Sequence, residues 1–597
     1  MNRRMFLRDV SFAGAAFLPV CNALADSLTP DSQLEHGFVV LGDGRNAAAD
    51  DMRLDLQWKG PVCNPALTNL STQAFVVKNV VLVDLRHTYP GETVLYGESF
   101  QMLSQTGGTL SQPTDLGYNE IEHYRIPGPS DATVATGLLT LSPPDSDHII
   151  LAFTSCRRFA GRFYLRRRSV QAVIETEGLL IGPGETWQLE ELLFTKGTDR
   201  NALLSSLAEK INTHHPPLLW KRPPTGWCSY GAYGTKSTSV QILDNVDAIA
   251  RRIPQLTYLQ VDDGYQPWLG DWLDTAPSFG EDIGLVMKQI KDRGQEPALW
   301  IAPFVADPES NVFQQHPQWF IRDHDGKPLP ALKVTFGGWD QGHWYALDGT
   351  HPEVQHHLEN IFRYIREEWD CRYFKLDATF WGAMHGGVFH DPHATRVEAY
   401  RRGMEAIRRG AGEDSFLLGC NHPVWPSFGL IHGSRSSNDI ARDWKTFEQD
   451  ATQTMERNWQ NGTLWWNDPD TVCLTGNLTD DEFKFHAAAV YASGGLILSG
   501  DDLKELSEER LAVLRKLLPP TGLAAKFDSP ALQVGRVELQ GATMFCLFNR
   551  AEAEVSISIP PCGRRRVFDH FSDEPLGQSE NFRILLPPHA GRILRCE

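Results

Sequence analysis

The chain has 597 residues, 41% of them hydrophobic, with 56 Lys+Arg set against 75 Asp+Glu for a formal net charge of −19. That length exceeds one ordinary hydrophobic core and predicts two or three domains, one of barrel size. The acidic balance excludes a phosphate-neutralising nucleic-acid binder, which needs a basic face, and fits a neutral substrate better.

At the N-terminus, Arg3-Arg4-Met5-Phe6-Leu7-Arg8 precedes an apolar stretch to Val20 in which only Asp9 is charged, and Ala23-Leu24-Ala25 stands before Asp26. Residues 1–25 therefore read as a twin-arginine signal peptide, and the expected destination is the periplasm or the medium. The apolar run is too short to cross a bilayer, and no other segment approaches the ~20 apolar residues a span needs. Nine of the ten cysteines lie beyond residue 25, scattered and without CxxC pairs, so neither a disulfide framework nor a structural zinc site is expected.

Residues 26–215 carry short apolar runs such as Ala74-Phe75-Val76-Val77 and Val80-Val81-Leu82-Val83, punctuated by Gly, Pro, Asp and Ser. This pattern predicts a β-sandwich. His214-His215-Pro216-Pro217 and Arg222-Pro223-Pro224 then mark a boundary, because proline resists both helix and sheet.

From 216 to 520 the texture becomes strand, loop, helix, repeated. Eight candidate strands begin near Gly226, Thr257, Pro297, Tyr373, Phe416, Ser434, Thr463 and Leu496. Amphipathic segments lie between most of them, at Val240 to Ile253, Glu353 to Trp369, Arg396 to Arg409 and Glu482 to Tyr491. The connection between the fifth and sixth strands is too short for a full helix. After Pro519-Pro520, residues 521–597 return to short strands. The predicted fold class is multidomain α/β: a central (β/α)8 TIM barrel with an N-terminal β-sandwich and a small C-terminal β domain.

Tyr373-Phe374-Lys375-Leu376-Asp377 and Arg435-Ser436-Ser437-Asn438-Asp439 each put a cation before a carboxylate, and the two acids lie 62 positions apart (439 − 377). Both acids sit at predicted strand ends, where barrel active sites are built, and a pair of carboxyl groups is what cleavage of a glycosidic bond requires. Side chains alternate along a strand, so Lys375 shares a side with Asp377 and is expected to favour its ionised form. The second acid, Asp439, is expected to hold a proton near neutral pH. His385, His390 and His393 lack the carboxylate or cysteine spacing that completes a metal site, and no metal or other cofactor is predicted. Asp468 and Asp470 read as a brace for the pocket floor, and Asp501-Asp502 as a turn and helix cap.

These segments, with Glu398 to Gly410, Asp414 to Cys420, Gly429-Leu430-Ile431, Gly226-Trp227-Cys228-Ser229, Gln260 to Tyr265, Trp300 to Phe304 and Trp466 to Asp470, follow one another in an order that resembles the α-galactosidases (melibiases) of glycoside hydrolase family 36. The resemblance spans the barrel, about half the chain. It implies an exo-acting retaining α-galactosidase with Asp377 as nucleophile and Asp439 as general acid/base. It also implies that Asp262 and Asp263 bind the galactose 4- and 6-hydroxyls, that Trp300 packs against the sugar, that Lys375 and Arg435 bind hydroxyls near the reacting centre, and that Cys420 contacts the ring. The implied partner is an α-galactoside oligosaccharide or glycan.

The chain departs from that pattern at Asn421-His422 after Cys420 and at Tyr230-Gly231 after Ser229, both on the leaving-group side. Gly97-Glu98-Ser99-Phe100-Gln101 resembles a loop that presents an aromatic to the site, although a core position is the stronger reading for Phe100. Two other enzymes fit the same residues: an α-galactosyltransferase like the raffinose and stachyose synthases, and an α-N-acetylgalactosaminidase, which the pocket near Cys420, Asn421 and Arg435 would decide. A non-catalytic carbohydrate-binding protein is the alternative of another class, and the matched pair Asp377 and Asp439 argues against it.

Overall fold

The computed structural model describes residues 32–35, 37–339, 342–563 and 565–597, so the signal peptide expected at 1–25 lies outside the described residues. A nine-stranded, all-parallel sheet forms the centre. Its strands are Thr225–Cys228, Tyr258–Val261, Glu296–Ile301, Tyr373–Leu376, Phe416–Gly419, Gly433–Arg435, Trp466–Asp468, Thr471–Val472 and Ile497–Ser499. The two end strands of that order, Trp466–Asp468 and Thr471–Val472, are consecutive in the chain and separated only by Pro469-Asp470, with Asp470 at φ 66. They are two halves of one interrupted strand, and counting them together leaves eight strands closed in a ring. The fourth strand, Tyr373–Leu376, is buried at every position, as expected where a parallel sheet is covered on both faces.

The covering helices are written into the sequence. Ser239–Arg252, Arg396–Ala411 and Asp480–Ser493 each start at a threonine whose hydroxyl caps the third residue while Gln241, Glu398 or Glu482 reaches back to the cap. Pro352–Glu368 opens with proline at its first position and buries Val354, Leu358, Ile361, Phe362 and Ile365, one face at helical spacing. Between the fifth and sixth strands there is only the 3-10 turn Trp425–Ser427.

Before the barrel lie two antiparallel sheets of seven and nine strands. One helix, Arg200–His214, follows them where no helical pattern is predicted. Asp199 caps it, and Leu204, Leu207, Ala208 and Ile211 form its buried face. After the barrel come a six-stranded and a two-stranded sheet. One continuous apolar core runs from Val39 through the barrel to Ile593, so these sheets pack on the barrel instead of hanging from it.

The contact that matters for the site is made by the hairpin Ser104–Thr109/Gln112–Gly117 and the segment before it. The Met102 amide donates to the His422 carbonyl at 3.0 Å and the Val424 amide to the Phe100 carbonyl at 2.9 Å, so this segment runs along the loop after the fifth barrel strand. Beneath it Glu98 and Arg457 pair at 2.7 Å with both side chains buried.

Candidate active site

A cavity of about 400 Å³ opens at the C-terminal ends of the barrel strands. Asp262, Asp263, Trp300, Lys375, Asp377, Cys420 and Asp439 all line it. Arg435, the remaining residue singled out from the sequence, sits behind the wall with its side chain 1% exposed.

Asp377 follows directly on the fourth strand, and the next residue, Ala378, adopts the left-handed conformation at φ 51. That turn lets the Ala378 amide donate to Asp377 Oδ1 at 2.6 Å, while the Trp300 indole N–H donates to Oδ2 at 3.0 Å. Trp300 therefore orients the carboxylate as well as walling the cavity. A residue other than glycine in such a conformation is strained, and strain of this kind is held in place by surrounding contacts at functional sites.

Lys375 does not pair with Asp377. Its Nζ lies 3.0 Å from Asp262 Oδ2 in a buried ion pair, and Gln260 Nε2 donates to the same oxygen at 2.6 Å. Asp263 accepts from Gln266 Nε2 at 2.7 Å. The side chains of the second and fourth strand ends are thus cross-linked at the base of the cavity, and the buried charges compensate each other.

Arg435 Nη2 reaches Asp439 Oδ1 and Asp470 Oδ2, each at 2.6 Å, so one guanidinium serves two carboxylates. Asp470 lines the cavity and also accepts the Ile440 amide at 2.8 Å. Asp468 is buried beneath it, and burial pushes its carboxyl up to about 6 against the pull of Arg435. Asp501 lies away from the cavity, fully buried, accepting from Arg442 at 2.7 Å, the Leu474 amide at 2.7 Å and the Thr475 hydroxyl at 2.6 Å.

The two carboxyl groups sit in opposite electrostatic settings. Burial raises Asp377 above the ordinary carboxylate range, with Asp439 adding to the rise, and Lys375 offsets this only in part because it is engaged with Asp262. Asp439 is also pushed up by burial, but Arg435 and Lys375 outweigh that and hold it low. Asp439 is nonetheless 67% exposed, so water screens the effect.

The rim of the cavity comes from residues that the sequence reading did not select. Leu103, Tyr118, His123 and Tyr124 come from the sheets before the barrel, and Phe336 and Trp339 from the long loop between the third and fourth barrel strands. Phe100 takes no part in it: the ring is fully buried, packs edge-on against Phe380 at 6.2 Å and lies under the Arg396 guanidinium at 4.0 Å. Of the residues at the two departures from the family pattern, Tyr230, Gly231 and Asn421 line the cavity, while His422 is fully buried behind it. Tyr230 is 43% exposed, and Asn421, at φ 44, accepts through Oδ1 from Gln101 and from the Tyr124 hydroxyl at 3.4 Å. His385 is half-buried and does not line the cavity, with its imidazole pushed down to about 4 by desolvation, and His390 donates its amide to Asp348.

Residues 259–381, which run from the second barrel strand past Asp377, match the Melibiase family. The chain is 27% identical over 153 residues to the myogenesis-regulating glycosidase of Mus musculus, covering 26% of this chain and 20% of that protein. It is 31% identical over 125 residues to the A type blood alpha-D-galactosamine galactosaminidase of Flavonifractor plautii, covering 20% of this chain and 11% of that one. The chain thus spans a fifth or less of the length of these curated relatives. In three dimensions it superposes on the α-galactosidase of Thermus thermophilus, solved with p-nitrophenyl α-D-galactopyranoside, with a TM-score of 0.61 at 21% identity, over 81% of this chain and 98% of the other. That likeness establishes the shared fold.

Proposed function

We propose that this chain is an exo-acting retaining α-galactosidase of glycoside hydrolase family 36, with Asp377 as nucleophile and Asp439 as general acid/base. The observation that carries this reading is the meeting in one barrel-mouth cavity of two carboxylates of opposite electrostatic setting with a second acid pair, Asp262 and Asp263, and an indole wall. In the first step Asp377 attacks the anomeric carbon, the bonding pair of the C–O bond goes to the leaving oxygen, and Asp439 gives that oxygen a proton. Water, deprotonated by Asp439, then displaces Asp377 and releases galactose with its α configuration retained.

The first step needs the proton on Asp439 and not on Asp377. A leaving sugar seated against Asp439 strips water from a carboxyl that is 67% exposed, which favours its neutral form. Lys375 favours ionisation of Asp377, as a nucleophile needs. Donors from Lys375 and acceptors on Asp262 and Asp263 suit the hydroxyls of a neutral sugar. The same reading divides the chain into a sandwich over 26–215, a catalytic barrel over 216–520 and a C-terminal β domain over 521–597, and takes residues 1–25 as an export signal.

Hydrolysis of p-nitrophenyl α-galactoside, with the α-glucoside and the α-N-acetylgalactosaminide in parallel, tests the assignment. Turnover of the galactoside that Asp377→Asn removes is the expected result. Turnover of the acetamido sugar alone would move the specificity, and no turnover of any would overturn the reading.

A further inference from the structure

The cavity rim carries a feature that neither the bond-breaking pair nor the galactose-binding acids require. His123 is sandwiched between two rings: Tyr118 stacks on it at 4.3 Å and 15°, and Phe336 stacks on it at 4.1 Å and 29°. Burial holds the His123 imidazole below its ordinary value, so the column is neutral and apolar through its middle. Its outer member, Tyr118, is 43% exposed and lines the cavity.

The column stands on the leaving-group side. Burial raises the Tyr118 phenol, and the Asp439 carboxylate adds to the rise, which puts the ring within the field of the proposed acid. It is also anchored there. Gln453 on the helix Trp444–Glu456 donates to the Leu116 carbonyl at 3.1 Å and accepts the Asn438 amide at 3.0 Å, so a single side chain fastens both the Tyr118 hairpin and the residue next to Asp439. Gly117 makes this approach possible, at φ 89 with the Leu103 carbonyl only 2.2 Å from where a Cβ would lie.

We propose that the Tyr118–His123–Phe336 column is a binding subsite for the leaving sugar, a neutral pyranose whose C–H face lies on Tyr118. This rests on the α-galactosidase reading and names the half of the substrate which that reading leaves open. An aromatic ring that stacks on a neighbour and is partly exposed at a cavity is a platform for an apolar sugar face, and the field of the Asp439 carboxylate disfavours an anionic leaving group.

The test compares an α-1,6-galactosyl disaccharide with α-galactosyl fluoride, whose leaving group is too small to reach the column. In Tyr118→Ala the ratio of kcat/KM on the disaccharide to kcat/KM on the fluoride should fall about tenfold, the effect of roughly one ring contact. Tyr118→Phe should restore the ratio, since the face and not the hydroxyl makes the contact. Equal losses on both substrates, or no change in the ratio, would overturn the subsite while leaving the α-galactosidase reading intact. A wild-type chain inactive on the fluoride would overturn that reading and the subsite with it. Melting curves of both variants separate a misfolded hairpin from a lost contact.

Discussion

Lys375 Nζ lies 3.0 Å from Asp262 Oδ2, joining the end of the fourth barrel strand to the end of the second under the proposed nucleophile. The lysine therefore acts on Asp377 through space while its hydrogen bond goes elsewhere. Lys375→Met should leave Asp262 as a buried unpaired carboxylate and cost about 3–5 kcal/mol of stability. It should also reduce kcat/KM on p-nitrophenyl α-galactoside by roughly 10²-fold or more, as loss of a preorganised donor does. Denaturation midpoints and steady-state kinetics on the same preparation check both, and an unchanged midpoint would show that the pair is not worth what its burial implies.

The two carboxylates should separate by leaving group. Asp377→Asn removes the attacking oxygen anion and should lower kcat by at least ~10³-fold on every substrate. Asp439→Asn removes the proton donor, so kcat/KM should fall far more for an alkyl galactoside than for the p-nitrophenyl compound, whose phenolate leaves without help. Equal losses on both would place Asp439 outside the proton-transfer role.

The pH profile follows from the direction of each shift. Burial raises Asp377 while Arg435 and Lys375 hold Asp439 low, so in the free enzyme the higher-titrating group is the nucleophile: the acid limb of kcat/KM should follow Asp439 and the alkaline limb Asp377. Arg435 divides its charge between Asp439 and Asp470. Asp470→Asn removes a neighbouring negative charge and leaves Arg435 to Asp439 alone, which lowers Asp439 further. The acid limb should then move to lower pH, and a shift the other way would mean that Asp470 holds Asp439 down.

The barrel was legible because its signals are local: apolar strand runs, threonine caps three residues before Gln241, Glu398 and Glu482, and proline at the start of a helix. Asp377 and Asp439 were legible because strand ends are where barrel sites form. The rim was not. Tyr118 and His123 reach the cavity only because a hairpin more than 250 residues upstream of Asp377 docks on the helix Trp444–Glu456, and nothing in the local pattern of residues 112–124 encodes that contact. The partner of Lys375 was not legible for a related reason: spacing put Lys375 on the side of Asp377, but Asp262, 115 positions before Asp377 (377 − 262), takes its hydrogen bond. The helix Arg200–His214 was missed although Leu204, Leu207, Ala208 and Ile211 recur at helical spacing, because it ends a span whose texture is otherwise that of short strands.

The seam between the first sheets and the barrel should be stabilising in its own right. Arg457 donates to Glu98 Oε2 at 2.7 Å, to the Met102 carbonyl at 2.6 Å and to the Ser436 carbonyl at 3.1 Å, all out of contact with water. Arg457→Met strands the Glu98 carboxylate and two carbonyls and should cost about 3–5 kcal/mol. Glu98→Gln with Arg457→Met should recover part of that loss, because no charge is then buried alone. A double variant no more stable than Arg457→Met alone would show that the carbonyl bonds carry the seam.

Gly117→Ala tests whether the docked hairpin is what builds the rim. At φ 89 any side chain is strained, and here the new methyl would also lie 2.2 Å from the Leu103 carbonyl and 2.5 Å from Gln453 Nε2. The backbone oxygen cannot rotate away, so the hairpin must shift at a cost of roughly 1–3 kcal/mol. The Tyr118 amide donates to that same Leu103 carbonyl at 3.1 Å, so its hydrogen-exchange protection should drop in the variant. The helix Arg396–Ala411, which packs on Pro352–Glu368, should keep its protection. If Tyr118 stays protected, the hairpin absorbs the methyl without moving, and the rim does not depend on the close approach at Gly117. If protection is lost along the whole chain, the docking holds the entire fold and not the rim alone.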